Sequence, residues 1–111
     1  MTNYNRGAAK ERDVIKKLLK DGCSYAARIA GSHSEFDVIG GDSEFIYFVQ
    51  AKSTKNMPVK PLSLITKYWN DLSAMSNVEL APNALKEMWV YPFRRGPIKI
   101  NVFPVEFYRR I

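Results

Sequence analysis

Apolar residues between Asn5 and Asp21 recur at helical spacing, at Ala8, Ala9, Val14, Ile15, Leu18 and Leu19, and Gly22 stands where a helix would stop. A first helix is predicted there. Ser24 to Ala30 reads as a first strand, Gly31 to Glu35 as a polar loop, and Phe36 to Ile39 as a short second strand. Gly40-Gly41-Asp42-Ser43 is a hairpin signal, because glycine supplies the positive φ that tight reversals need. The third strand, Glu44 to Ser53, holds Phe45-Ile46-Tyr47-Phe48-Val49 without alternation, which predicts burial on both faces and a central place in the sheet. A polar, proline-bounded link runs from Ser53 to Pro61. Leu62, Ile65, Trp69, Leu72 and Met75 then fall at helical intervals and predict a second helix from Leu62 to Met75, with Trp69 in the core or at a dimer interface. Ser76 to Ala84 reads as a loop, Leu85 to Phe93 as a fourth strand, Arg94 to Pro97 as a turn, Ile98 to Phe103 as a fifth strand, and Pro104 to Ile111 as a short helical turn. The order αβββαββ describes an α/β fold over residues 1–111, a single domain with one mixed sheet flanked by helices.

Polar residues that break this pattern carry the candidate chemistry. At about 100° per residue, Ala8, Glu11, Ile15, Leu18 and Leu19 share an arc of about 100° on the first helix. Glu11 therefore sits inside the apolar stripe, where a carboxylate needs a basic side chain or a metal ion to meet. On the third strand Gln50 and Lys52 project to one face and Ala51 to the other. The hairpin folds Asp37 back toward the end of that strand, so that a carboxylate, an amide and an ammonium converge. Oxygen donors from Asp37, Gln50 and the backbone carbonyl of Ala51 suit a hard divalent ion such as Mg²⁺, with substrate phosphate in its shell. Lys52 would then orient an attacking water or stabilise negative charge developing on the phosphate.

Charge narrows the partner. The 111 residues include 17 Lys and Arg against 11 Asp and Glu, a formal net charge of +6. That excess favours a polyanion, nucleic acid before an anionic membrane surface. Arg6, Lys10, Lys55, Lys60 and Lys67 would extend a phosphate-binding face around the hairpin, and Arg94-Arg95 would either grip a second duplex arm or solubilise a turn. One cysteine, Cys23, and one histidine, His33, exclude an internal disulfide and a paired-cysteine zinc site, and leave little material for a histidine-based triad. The opening MTNYNRGAAKERD lacks the apolar core of a secretion signal, and no stretch approaches the roughly 20 apolar residues of a membrane span. The expected setting is intracellular, in cytoplasm or nucleoid, for a cellular or a virus-encoded protein, with no membrane partner and no small-molecule cofactor.

Several of these residues stand together in an order that resembles the PD-(D/E)xK nuclease superfamily, and within it the archaeal-type Holliday junction resolvases. The resemblance runs from Tyr4 to Lys55. It rests on Arg6-Gly7 and Glu11-Arg12 in the first helix, Arg28 with Ala30-Gly31-Ser32 after the first strand, Asp37 in the second, and Gln50-Ala51-Lys52 in the third. It implies a restriction-endonuclease-like fold and metal-dependent hydrolysis of DNA phosphodiesters by a homodimer that binds branched DNA, a four-way junction, and cuts two strands symmetrically. Mg²⁺ is the expected ion and Mn²⁺ its substitute. Position by position, Glu11, Asp37 and Gln50 would hold or support the metal, Lys52 would be the catalytic lysine, and Arg12, Arg28 and Ser32 would position the scissile phosphate, with Arg6 and Lys55 on the DNA. The family usually carries Glu where this chain has Gln50, which removes one negative charge from the site. A weaker metal site, or a fold that binds DNA without cutting it, would follow from that difference, unless Glu35 or Asp42 compensates. A related nuclease of the same fold acting on repair or restriction substrates is the other alternative.

Overall fold

The structure, a computed structural model, describes residues 3–29, 35–55 and 61–103, with side chains in the first helix from Ala8 onward. Helix α1 (Asn3–Lys20) leads into strands β1 (Tyr25–Arg28), β2 (Val38–Gly41) and β3 (Ile46–Thr54). Helices α2 (Pro61–Lys67) and α3 (Trp69–Ser76) come next, then strands β4 (Ala84–Pro92) and β5 (Ile98–Asn101). The strands form one sheet in the order β1-β2-β3-β4-β5, antiparallel except for the parallel pair β3 and β4. A parallel pair needs a crossover, and α2 with α3 provides it. The last predicted turn, from residue 104 on, lies outside the described residues.

Alternation along β4 divides the interior into two cores. Trp89 and Tyr91 pack with Val14, Leu18, Val38 and Val49 beneath α1, while Met88 and Val90 pack with Phe36, Leu64, Tyr68, Leu72 and Met75 beneath α2 and α3. β3 is central, as its apolar run predicts, but the continuous burial belongs to β4, which is buried from Met88 to Pro92. In β3 only Val49 and Thr54 are buried. Gln50 and Lys52 interrupt one face of that strand, so it cannot be closed over along its whole length.

Three details differ from the sequence pattern. On α1 the buried positions are Ala8, Val14 and Leu18, whereas Leu19 is 45% exposed. The apolar face is thus turned toward Val14, which leaves Glu11 between Leu18 and Ile15 on the helical wheel. The second predicted helix is broken at Tyr68, whose backbone (φ −107°, ψ 22°) separates α2 from α3. Its core positions are Leu64, Tyr68, Leu72 and Met75, so the aromatic that goes inside is Tyr68 rather than its neighbour Trp69, and Leu62 is 59% exposed.

The hairpin reverses at Asp42 to Phe45, later than the glycines suggest. Asp42 Oδ1 accepts hydrogen bonds from the Glu44 and Phe45 N–H groups at 2.8 and 2.7 Å, and the Asp42 N–H donates to the Phe45 carbonyl at 3.0 Å. An aspartate side chain closes the turn, as such residues do where they cap their own backbone. Gly40 and Gly41 belong to β2, where absence of a side chain serves packing: a Cβ at Gly40 would stand 3.0 Å from Leu18 Cδ1 and 3.2 Å from the Tyr25 carbonyl. Among the described glycines the positive φ falls at Gly22 (116°), just past the end of α1. No helix among the described residues is long and apolar enough to cross a membrane.

Candidate active site

β3 is hydrogen-bonded on both sides, antiparallel to β2 and parallel to β4, and it carries Gln50, Ala51 and Lys52. Val38 pairs with Val49 at the end of the β2–β3 ladder, and Asp37 stands immediately before β2. The Asp37 backbone is itself part of the sheet: its N–H donates to the Val49 carbonyl at 2.8 Å, and its carbonyl accepts from the Ile29 N–H at 2.9 Å. From this fixed position Asp37 Oδ2 accepts a hydrogen bond from the Ala51 N–H at 2.8 Å. The acid and the strand that carries the lysine are therefore tied together through backbone.

Burial holds the Asp37 carboxyl above the usual carboxylate range; the Ala51 N–H opposes that shift, the Glu11 carboxylate adds to it, and Lys52 and Arg28 pull against it. Residues from α1, β1 and β3 thus act electrostatically on one carboxyl. Glu11 itself meets a basic side chain, accepting from Arg28 Nε at 2.6 Å across α1 and β1. Lys52 turns toward α3, where its ammonium lies 3.3 Å from Asp71 Oδ1. Asp71 is a neighbour the sequence reading did not name. Its signal was present, since it is the one acid in the segment from Leu62 to Met75 and stands next to the core residue Leu72.

Gln50 is the unusual member. Its Oε1 is, among the described residues, the buried side-chain oxygen or nitrogen without a hydrogen-bond partner. Such a group ordinarily destabilises a fold by about 1–3 kcal/mol and calls for an explanation. Among the described residues no three His, Cys, Asp or Glu side chains gather to metal-holding distance. Glu11 and Asp37 do act on one another electrostatically, however, Gln50 offers an amide oxygen on the strand that holds Asp37, and oxygen donors are what a hard divalent ion takes. The orphaned Gln50 oxygen gives that set an acceptor with nothing yet to bind, so the residues fit a divalent cation with less negative charge than three carboxylates would supply.

The remaining expected residues separate into groups. Arg12 and Lys55 are exposed on α1 and just past β3, as phosphate-contacting cations need to be. The side chain of Arg6, and Ala30, Gly31, Ser32, His33 and Lys60 altogether, lie outside the described residues. Lys67 is turned inward at its tip, donating to Thr54 Oγ1 at 2.7 Å. Asp42 does not compensate for Gln50, because its carboxylate is committed to the hairpin turn and also accepts from the Tyr47 hydroxyl at 3.3 Å.

Comparison with known proteins gives this arrangement a context. The profile of the archaeal Holliday junction resolvase (Hjc) family matches residues 2–62, which include α1, β1, β2 and β3. Among solved structures, the Holliday junction resolvase Hjc of the archaeal hyperthermophile Archaeoglobus fulgidus superposes with a TM-score of 0.57 at 19% identity, over 87% of this chain and 73% of that one. That similarity, over 87% of this chain, extends the shared fold beyond the matched residues. No curated protein matches the chain. With more than half of its length matched by the family profile, and with the sheet that the family shares, the chain belongs to the archaeal Holliday junction resolvase family.

Proposed function

We propose that this protein is a divalent-metal-dependent endonuclease that resolves four-way DNA junctions by paired phosphodiester hydrolysis, acting inside the cell as a homodimer with one site per chain. The observation that carries the reading is the unpartnered Gln50 Oε1 on β3, the strand whose next residue, Ala51, holds the Asp37 carboxylate through its backbone N–H. Family membership supplies the substrate class, and the net charge of +6 suits a phosphate-rich partner.

In this reading Asp37 and Gln50 would hold Mg²⁺ or Mn²⁺, Glu11 would support it, and the Ala51 carbonyl would be a further oxygen donor. Bound there, the ion would supply Lewis-acid charge for hydrolysis. The chain's own groups do the rest. Arg28 fixes the Glu11 carboxylate through its 2.6 Å contact, and the Ala51 N–H fixes Asp37. Lys52 brings positive charge to the scissile phosphate, where negative charge grows as water adds to phosphorus. One P–O bond forms to the water oxygen and one breaks to the sugar oxygen, which leaves with a proton. Arg12, Lys55, Arg6 and Ser32 contact the flanking backbone and set its register.

Cleavage of a synthetic four-way junction and of a matched linear duplex, with Mg²⁺, Mn²⁺ or EDTA and with Asp37→Ala alongside, tests the proposal. Paired metal-dependent nicks in the junction alone, absent from Asp37→Ala, are the expected result. Equal cutting of the linear duplex would point to a different nuclease of this fold. Tight junction binding without nicks would make the protein a silent binding module, whose metal site the missing charge at Gln50 has weakened beyond use.

A further inference from the structure

α1 presents a second chemical face, away from Glu11. At about 100° per residue, Lys10, Asp13 and Lys17 fall within about 60° of one another and about 130° around the helix from Glu11. They line a concave surface completed by Tyr91 at the end of β4 and by Arg94, Arg95 and Gly96 of the β4–β5 turn. Four cations thus surround a single carboxylate.

That carboxylate is already engaged. Asp13 accepts from Lys17 Nζ at 2.8 and 2.9 Å and from the Tyr91 hydroxyl at 2.8 Å. Lys10 lies over the Tyr91 ring, 5.0 Å from its centroid, and the Arg94 guanidinium lies over Phe93 at 5.1 Å. Among the described residues no carboxylate stands within ion-pairing distance of Lys10, Arg94 or Arg95. Arg94 also holds the positive φ of 58°, the one such non-glycine residue described, so the turn presents its two arginines from a backbone that few side chains adopt. Four like charges gathered on one concave surface with a single carboxylate among them repel one another, and an anion relieves that repulsion.

We infer that this pocket is a second contact for the DNA backbone, taking phosphates of a duplex arm away from the scissile bond. The inference rests on the DNA-binding part of the proposed function. Its ligand is a run of phosphodiesters rather than a base, because the pocket offers cations and one aromatic edge and no amide pair to read a base.

The test is the salt dependence of binding to a labelled synthetic four-way junction and to matched linear duplex, in EDTA so that no cutting intervenes. Lys10→Gln with Arg95→Gln removes two pocket cations. Lys16→Gln with Lys20→Gln removes the same charge from exposed positions of α1 outside the pocket. Each lost phosphate contact should flatten the slope of log K against log salt by about 0.9, so the pocket variant should lose roughly 1.8 and the control should keep the wild-type slope. Should the pocket variant fail to fold by circular dichroism, Arg94→Gly carries the test, since glycine accepts the positive φ, with an expected change of about 0.9. A pocket variant with the wild-type slope, or a control that changes as much, overturns the pocket and leaves the DNA reading standing. Wild-type protein without salt-dependent affinity for either DNA overturns both.

Discussion

The Lys52 ammonium lies 3.3 Å from Asp71, so the lysine at the centre of the candidate site is joined to a helix that the Hjc family match does not reach. This pair is partly exposed, and by itself it stabilises the fold by less than about 1 kcal/mol. Its importance is directional. Among the described carboxylates Asp71 is the one at ion-pairing distance from Lys52, and it draws that charge toward α3. Asp71→Asn should leave thermal stability within about 0.5 kcal/mol of wild type and lower the single-turnover cleavage rate about tenfold, with junction affinity little changed. An unaltered rate would mean that Lys52 is positioned by the DNA instead.

Gln50→Glu should add a negative charge to β3 next to Ala51, whose N–H holds the Asp37 carboxylate. Carboxylates gathered without a cation repel, so the variant in EDTA should unfold at lower temperature, by an amount equivalent to about 1 kcal/mol. Added Mg²⁺ should reverse that loss and stabilise the variant at lower concentration than it does wild type, since a ligand that binds only the folded state stabilises it in proportion to its affinity. Thermal melts across a Mg²⁺ series measure both effects without reference to cutting.

Asp13 links acid stability to the α1 face. Burial alone would raise its carboxyl, but hydrogen bonds from Lys17 and Tyr91 outweigh that and hold it below the usual carboxylate range. A carboxyl depressed on folding stabilises the protein above its unfolded pKa, about 4, and the contribution is lost as pH falls through the folded value. Asp13→Asn should therefore be less stable than wild type at pH 7 by about 0.5–1 kcal/mol, allowing for solvent screening, and the gap should close as pH falls below the unfolded pKa and through the depressed folded value. Urea unfolding at a series of pH values reads the difference, and a pH-independent gap would assign it to packing.

Leu72 ties the second core to the site. It is fully buried, and it follows Asp71 in α3. Leu72→Ala should destabilise by about 2–5 kcal/mol, the usual range for a cavity of that kind. Because α3 also presents Asp71, the variant at low temperature, where it remains folded, should show part of the rate defect of Asp71→Asn. Full activity in the folded variant would separate the helix from Lys52.

How much of this was legible in the sequence depends on the range of the interaction. Helix α1, the five strands and the central place of β3 follow from local periodicity, which the chain obeys closely. The hairpin was legible in its existence but displaced in its turn, because Asp42 closes it with a side chain while Gly40 answers to Leu18 on α1 and Gly41 to Tyr25 on β1. Tyr68 and Trp69 exchanged roles because a helix that bends between them satisfies the core with either, and only the position of β4 decides. Glu11 was visible as a misplaced charge on an apolar stripe, but its pairing with Arg28 joins residues 17 positions apart. The pairing of Lys52 with Asp71 spans a crossover, and no periodic pattern reports on it.

The doubly hydrogen-bonded β3 limits how the protein can respond to what it binds. Gln50 and Lys52 cannot shift along the strand without breaking two ladders at once, one of them nine residues long. Whatever nucleic acid comes to this strand has to do the bending itself. The energy of that deformation is small where base stacking is already interrupted, as at a branch point, and larger along an unbroken duplex. A rigid strand would in this way sort DNA by its compliance, without reading a single base.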